Sequence, residues 1–294
     1  MRSRVVIAVL ALFAFLASAA VQQPPAQPPA DQTTGASRFA LASVLDPRNR
    51  PVVDVGADDF VIQEAGVARE VLSVRPADYP VVVMLDTGVD ARGDFGLMKT
   101  AAEHFIERIG PRPLAIGTFG GAPKMIVGFD DDRETALARL RDLERGGYER
   151  SELLEGASVA ATAIRRTGAL FAALVMLSSA PRDNSQASPD AMLAAIIDGG
   201  AILHVIANRS SQAAAGSGFR PGAALRALTE QSRGEFTAIF SAASFQSALD
   251  RLADRLTTEL LIEYLVPVGS KPNDVKLGVR LVGARVRGLG VAPR

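Results

Sequence analysis

Residues 80–90 read PVVVMLDTGVD. Val81 to Leu85 are apolar without a break, the composition of a strand covered on both faces rather than one with a wet side. The run stops on Asp86, Thr87 and Gly88. Phe95, Met98, Ala102, Phe105, Ile106 and Ile109 then recur at helical spacing. Asp94 is placed to cap that helix, and Gly110-Pro111 to stop it. A buried strand feeding a helix is the opening unit of an α/β sheet. The carboxylate at its C-terminal end lies where such sheets take their ligands.

The same alternation continues downstream. "PLAIGTFG" and "PKMIVGFD" are two strands with only Gly-Gly-Ala-Pro at their junction, too short for a crossover, so this pair is antiparallel. Helix 132–144 follows, with Asp131 and Glu134 spaced as a capping box, then helix 151–166. "ALFAALVMLSS" (169–179) is a second fully apolar strand. Ser188-Pro189 opens a helix that Gly199-Gly200 closes. "AILHVIAN" is a strand, Pro221 starts a helix, "EFTAIF" is a strand, and 244–260 is a helix with Phe245, Leu249, Leu252 and Leu256 inward. These elements predict a doubly wound, mostly parallel sheet with one antiparallel edge strand, of Rossmann-like type.

Both flanks of that domain are β-rich. On one side lie "RFALASVLD", "VVDV", "DFVIQEAG" with a hairpin turn at Glu64-Ala65-Gly66, and "REVLSVR"; on the other lie "LLIEYLVPV", "VKLGVRLV" and "RVRGLGV". Neither flank alone has the apolar surface for a core. The strand at 81 enters the sheet at the edge where the last helix leaves it, so the two flanks emerge together and are expected to pack into one small β-module. The expected domains are 37–79 and 261–294 for that module and 80–260 for the α/β domain.

Ahead of these, residues 1–20 read as a secretory signal: Arg2 and Arg4, an apolar Val5 to Ala17, then the small residues Ala17-Ser18-Ala19. Residues 21–36, "VQQPPAQPPADQTTGA", form a Pro/Gln-rich linker. The expectation is a secreted or periplasmic protein with no membrane span once the signal is removed. Lys+Arg and Asp+Glu both number 32, so net charge draws the chain toward neither nucleic acid nor anionic lipid. There is no Cys and no Trp. Zinc-thiolate sites and Cys nucleophiles are therefore excluded, and stability rests on the core rather than on disulfides.

The element order from residue 80 to 260 resembles a von Willebrand factor type A (VWA) domain. "RNRPVVDVGADDFVIQEAGVAREV" and "ALDRLADRLTTELLIEYLVPV" resemble the segments that flank this domain in the bacterial VWFA-related family best known from Acidobacteria, so the likeness covers residues 38–292. The resemblance implies a protein-interaction module. It also implies a possible Mg²⁺ site, built in the family from Asp-x-Ser-x-Ser, a distant Thr and a distant Asp, because a hard cation needs oxygen ligands. Asp86 matches the first position. Gly88 and Asp90 stand where the two Ser would be, Tyr148 where Thr would be, and Ser179 where the distant Asp would be. Asp86 and Asp90 are the residues a metal would use, with Ser179 or Asp183 assisting. With one of five positions kept, the expectation is no bound metal and no cofactor. Asp86 is then a polar cap satisfied by backbone N–H groups, and a protein partner meets the rim made by Asp86, Gly88, Asp90, Tyr148 and Ser179.

"MLDTGVD" also resembles the Asp-Thr-Gly motif of retroviral-type aspartic proteases, and "LAIGTFG" their later apolar-apolar-Gly element. The helix soon after Asp86 and the single Asp-Thr-Gly count against it, so a peptidase centred on Asp86 is the alternative, and a structural envelope component a further one. His204, among Ile202, Leu203, Val205 and Ile206, is expected to be a hydrogen-bonded core residue, and His104 sits on a helix flank. Arg92-Gly93-Asp94 is read as chance. Asp130-Asp131-Asp132 is read as helix capping. Lys276, Arg280, Arg285 and Arg287 are placed on solvated strand faces. No Gly-x-Ser-x-Gly elbow or phosphate-binding loop is present. The loops "SAPRDNSQASP" and "NRSSQAAAGSGF" rise at the C-terminal strand ends.

Overall fold

The computed structural model describes residues 35–88, 95–146, 151–179, 185–208 and 221–293, the first four residues of the last segment by backbone alone. The signal segment, the linker up to Thr34 and the Arg92-Gly93-Asp94 tripeptide with its expected helix cap lie outside the described residues. Among the described residues, no helix is long and apolar enough to cross a membrane.

The chain runs through β1 (Gly35–Leu45), β2 (Phe60–Glu64), β3 (Val67–Arg69) and β4 (Val71–Pro76) before entering the α/β domain. There follow β5 (Val81–Leu85), α1 (Phe95–Arg108), β6 (Leu114–Thr118), β7 (Lys124–Val127), α2 (Arg133–Asp142) and α3 (Leu153–Thr167). Next come β8 (Ala172–Ser178), α4 (Pro189–Asp198), β9 (Ala201–Asn208), α5 (Pro221–Gln231), β10 (Glu235–Ile239) and α6 (Ser244–Thr257). β11 (Leu260–Pro267), β12 (Val275–Val279) and β13 (Arg285–Ala292) complete the chain.

The central sheet has the order β10-β9-β8-β5-β6-β7. Its pairs are parallel except β6–β7, which is antiparallel and puts β7 at the edge. Side chains alternate between the two faces, as a pleated strand requires. Val81, Val83 and Leu85 pack with α1, α2 and α6, whereas Val82 and Met84 pack with α3 and α4. Both faces are covered, which is why β5 and β8 could be written in apolar residues alone.

The two flanks interleave. β1 lies between β11 and β13, and β4 pairs with β11, giving a four-stranded sheet β13-β1-β11-β4. β12, β2 and β3 form a second, three-stranded sheet. Phe60, Ile62, Ile262, Tyr264 and Val266 fill the space between them. A buried ion pair crosses the same space: Arg38 of β1 meets Glu64 of β2, and the Asn273 N–H donates to Glu64 at 3.2 Å. The β2–β3 hairpin turns at Ala65 and Gly66, both with positive φ of 51° and 77°, the pairing that suits a two-residue turn.

The chain enters and leaves the α/β domain side by side. The Ala77 N–H donates to the Glu259 carbonyl at 2.9 Å, and the Tyr79 hydroxyl donates to the Glu259 carboxylate. The Arg112 guanidinium stacks 5.0 Å from the Tyr79 ring and donates to the Leu256 carbonyl at 2.7 Å. Burial pushes the Glu259 carboxyl above its ordinary range, and burial together with the Glu259 charge pushes Tyr79 well above its own.

Local details depart from expectation in three places. The cap of α2 is Asp132, not Asp131: its side chain accepts from the Thr135 N–H at 2.8 Å. Asp131 instead closes the preceding turn, accepting from the Gly128 N–H at 2.8 Å. Asp132 reaches the backbone three residues ahead and Asp131 the backbone three residues behind, so the two adjacent carboxylates serve the helix and the turn separately. "VVDV" forms no strand; only Pro51 bridges to Leu45, because Asp46 turns the chain there and residues 52–56 run extended into a 3₁₀ turn at Ala57–Asp59. β1 starts at Gly35, inside the tract assigned to the linker.

Ending the chain at Thr258 would remove the strand between β1 and β4 and strip their shared core. Limited proteolysis of that truncation is expected to cut rapidly within 35–76; protection equal to that of the full chain would show that this segment does not need β11–β13.

Candidate functional site

Asp86 follows β5 at the C-terminal edge of the central sheet and is fully buried. Its backbone N–H still belongs to the sheet, donating to the Leu177 carbonyl at 3.0 Å. Its carboxylate is ringed by donors from the neighbouring loops. Oδ1 accepts from the Gly88 N–H at 3.0 Å and from the Ser151 hydroxyl at 2.5 Å. Oδ2 accepts from the Ser178 hydroxyl at 3.4 Å and the Ser179 N–H at 3.3 Å. A buried carboxylate is tolerable only when its lone pairs are filled in this way.

Three segments hold these donors in place. The first is Asp86-Thr87-Gly88 itself, where the Thr87 hydroxyl donates to the Gly120 carbonyl at 3.2 Å and the Thr87 carbonyl accepts from Gly146 N–H at 2.9 Å. Gly120 packs so closely that an added Cβ would overlap the Thr87–Gly88 peptide, a close approach that only glycine allows. The second is the approach to α3, where Ser151 bridges to Gly120 and the Glu152 N–H donates to the Phe119 carbonyl at 2.9 Å. The third is the exit of β8 at Ser178 and Ser179. Farther along that loop, Glu155 of α3 accepts from the Gln186 and Ala187 N–H groups at 2.6 and 2.8 Å, and the Ser185 hydroxyl accepts from the Leu154 N–H at 2.9 Å. The segment at 185–187 is thereby fastened to the start of α3.

Of the residues named from sequence, Asp86, Gly88 and Ser179 come together here; Asp90, Tyr148 and Asp183 lie outside the described residues. The third-loop hydroxyl that reaches Asp86 belongs to Ser151, which the sequence reading missed. Its spacing puts it inside the expected helix 151–166, whereas the helix starts at Leu153 and leaves Ser151 on the loop before it. The Ser179 hydroxyl is buried without a hydrogen-bond partner among the described residues.

The described donors do not make up a magnesium site. Mg²⁺ requires near-octahedral oxygen ligation with carboxylate charge to offset its own. Gly88 supplies no side-chain oxygen, Ser179 supplies no charge, and Asp86 is the single carboxylate of the ring. No group of three or more His, Asp or Glu side chains converges anywhere among the described residues. Both Asp86 oxygens already serve internal donors.

The other singled-out residues sit elsewhere. His104 on α1 lies 3.4 Å from Asp250 of α6. His204 on β9 is buried, as expected, but neither ring nitrogen has a hydrogen-bond partner among the described residues, contrary to expectation. Val175 of β8 and Glu235 of β10 lie beside it in register, and among the described residues no group reaches either nitrogen at hydrogen-bond distance. Burial first, then the charges of Arg255 and Arg287, hold its pKa well below the ordinary value of 6.5.

Asp86→Ala would leave two N–H groups and two hydroxyls without their acceptor, and is expected to cost about 3 kcal/mol in urea unfolding, with Ser151→Ala costing about 1 kcal/mol. An unchanged midpoint in both would mean the ring does not hold the loops. For His204, the unfolded chain takes up a proton near pH 6.5 and the folded chain only well below it. Stability should therefore fall as pH drops below 6.5, by at most about 1.4 kcal/mol per pH unit from this group. His204→Leu is expected to flatten that slope in unfolding titrations between pH 7 and pH 5.

No family model and no curated protein sequence matches the chain. Its backbone superposes on proximal thread matrix protein 1 from the mussel byssus with a TM-score of 0.53 at 13% identity, over 70% of this chain and 50% of that one. The same byssus protein with a zinc-occupied MIDAS motif gives a TM-score of 0.51 at 14% identity, over 65% and 48%. A von Willebrand factor type A structure from Catenulispora acidiphila gives 0.52 at 11% identity, over 88% and 73%. The chain spans about half the length of the byssus protein it matches. At 11–14% identity these likenesses bear on the fold alone: the chain has a von Willebrand factor type A fold.

Proposed function

We propose that this protein is an exported, non-enzymatic VWA-like module that binds another protein through the loops around Asp86 without a metal ion. The observation that carries this reading is the ring of donors on Asp86. Its oxygens are engaged by Gly88, Ser151, Ser178 and Ser179, and no group of three or more His, Asp or Glu side chains converges among the described residues to offset a divalent cation. Contacts to a partner would then rest on the shape of the loops and on neutral hydrogen bonding at their outer surface. Solved neighbours of the fold support an interaction role, one of them being named a matrix protein of a byssus thread. The signal-like residues 1–20 support export.

The same ring weighs against a peptidase centred on Asp86. An aspartic nucleophile activator needs a second carboxylate sharing its proton and a water in reach, whereas this aspartate is fully buried among serines at the end of a parallel strand.

Calorimetric titration with Mg²⁺, Mn²⁺ and Ca²⁺ is expected to show no micromolar binding; such binding, lost in Asp90→Ala, would overturn the metal-free reading. Crosslinking and mass spectrometry from the native host should recover a dedicated protein joined near residues 86–90, 148 and 179. Recovery only of peptide turnover that disappears in Asp86→Asn would support the peptidase instead.

A further inference from the structure

The end of α2 is held by a side chain from α1. The last carbonyls of a helix have no partner within it and carry its negative pole. α2 stops at Asp142, and Leu143 already has extended backbone with ψ of 120°. There the Lys99 ammonium of α1 donates to the Arg141 carbonyl at 2.6 Å and to the Leu143 carbonyl at 2.8 Å. It also lies 5.7 Å from the centre of the Phe95 ring, within reach of a cation–π contact. Among the described residues no carboxylate pairs with it. The charge is directed at main-chain carbonyls and one ring, not at an ion pair.

Its place on the chain gives this contact its consequence. Shortly after Leu143, the Gly146 N–H donates to the Thr87 carbonyl at 2.9 Å. The next residue after Thr87 is Gly88, whose N–H donates to Asp86 Oδ1 at 3.0 Å. Gly120 packs against the same Thr87–Gly88 peptide. Lys99 stands in the second turn of α1, the next helix along the chain from Asp86. The chain between Asp86 and α1 and the chain leaving α2 are therefore joined twice, once by the Lys99 ammonium and once by the Gly146 N–H. Another bridge between the two helices, Arg141 to Glu103 at 2.6 Å, is exposed, and exposed pairs contribute little. That bridge grips α2 within the helix and does not touch the loop beyond it.

We propose that Lys99 is a positioning residue of the partner-binding loops: it sets where the chain leaves α2, and through Gly146 and Thr87 it fixes the backbone that carries Gly88 to Asp86. The proposal rests on the reading of these loops as a partner surface. Residues 143–146 have no helix or strand of their own to hold them. Hydrogen bonds from an ionised donor are roughly twice as strong as neutral ones, so one ammonium on two carbonyls can hold such a stretch. Without it the Leu143 carbonyl is released, and the Gly146 N–H meets Thr87 only for part of the time. The Asp86 ring keeps its own donors, but the outer surface of the loop loses its fixed shape.

The test is amide hydrogen exchange, read residue by residue by NMR on the full chain. Lys99→Met keeps an unbranched side chain and removes the charge. The Gly146 N–H is then expected to exchange on the order of tenfold faster, while Val83 and Val175, in the middle of β5 and β8, keep the parent rates. Glu103→Gln breaks the exposed bridge between the same two helices and should leave Gly146 unchanged. A Gly146 rate in Lys99→Met equal to that of the parent would overturn the proposal. So would an equal acceleration in Glu103→Gln, which would make helix docking the cause. A parallel acceleration of Val83 and Val175 would overturn it too, because Lys99 would then support the whole fold rather than one loop. No partner is present in this measurement, so its failure is distinct from a failure of crosslinking to find a protein at the rim.

Discussion

Val81–Leu85 are hydrogen-bonded on both edges, to β6 and to β8, and covered on both faces by helices. A strand so enclosed cannot shift register without moving every side chain to the wrong face. Its two ends are fixed as a result. At the entering end, Tyr79 meets Glu259 and the β-module is joined to the domain. At the leaving end, Asp86 is delivered into the gap between three loops with no room to turn out toward water. Both ends place an acid where solvent cannot reach it, and both are resolved by protein donors. Tyr79 with Arg255 serves Glu259, and hydroxyls with backbone N–H groups serve Asp86. The difference in donor type matters: a cationic neighbour offsets charge, whereas the ring around Asp86 offers hydrogen bonds alone.

The architecture was legible because apolar pattern and chain length constrain it together. Unbroken apolar runs at Val81–Leu85 and Ala172–Leu177 could only be strands covered on both sides, and the five residues between β6 and β7 could only permit an antiparallel turn. The joining of the flanks followed from direction, since α6 must return to the edge where β5 began. Side-chain roles at loops were less legible. Tyr148 and Ser151 are three residues apart on a connection with no periodicity to say which one faces the sheet. Asp131 and Asp132 are adjacent, and both accept backbone N–H groups, one for the turn and one for the helix. His204 was placed correctly in the core, but the missing hydrogen bond depends on what α6 brings over it, which a strand pattern does not encode.

That last case separates two kinds of buried polar group in this molecule. Asp86 is surrounded by groups whose only evident task is to satisfy it, and the Gly120 contact shows how tightly the backbone closes on it. Such a ring exchanges reactivity for order: the loops at the sheet edge are held, and their outer surfaces become a fixed shape that another protein can read. His204 is the reverse. Both of its ring nitrogens are closed off from solvent and lack a hydrogen-bond partner among the described residues, and burial keeps its pKa well below the ordinary value. One buried polar group is satisfied by its surroundings and holds three loops together; the other is tolerated because burial keeps it uncharged.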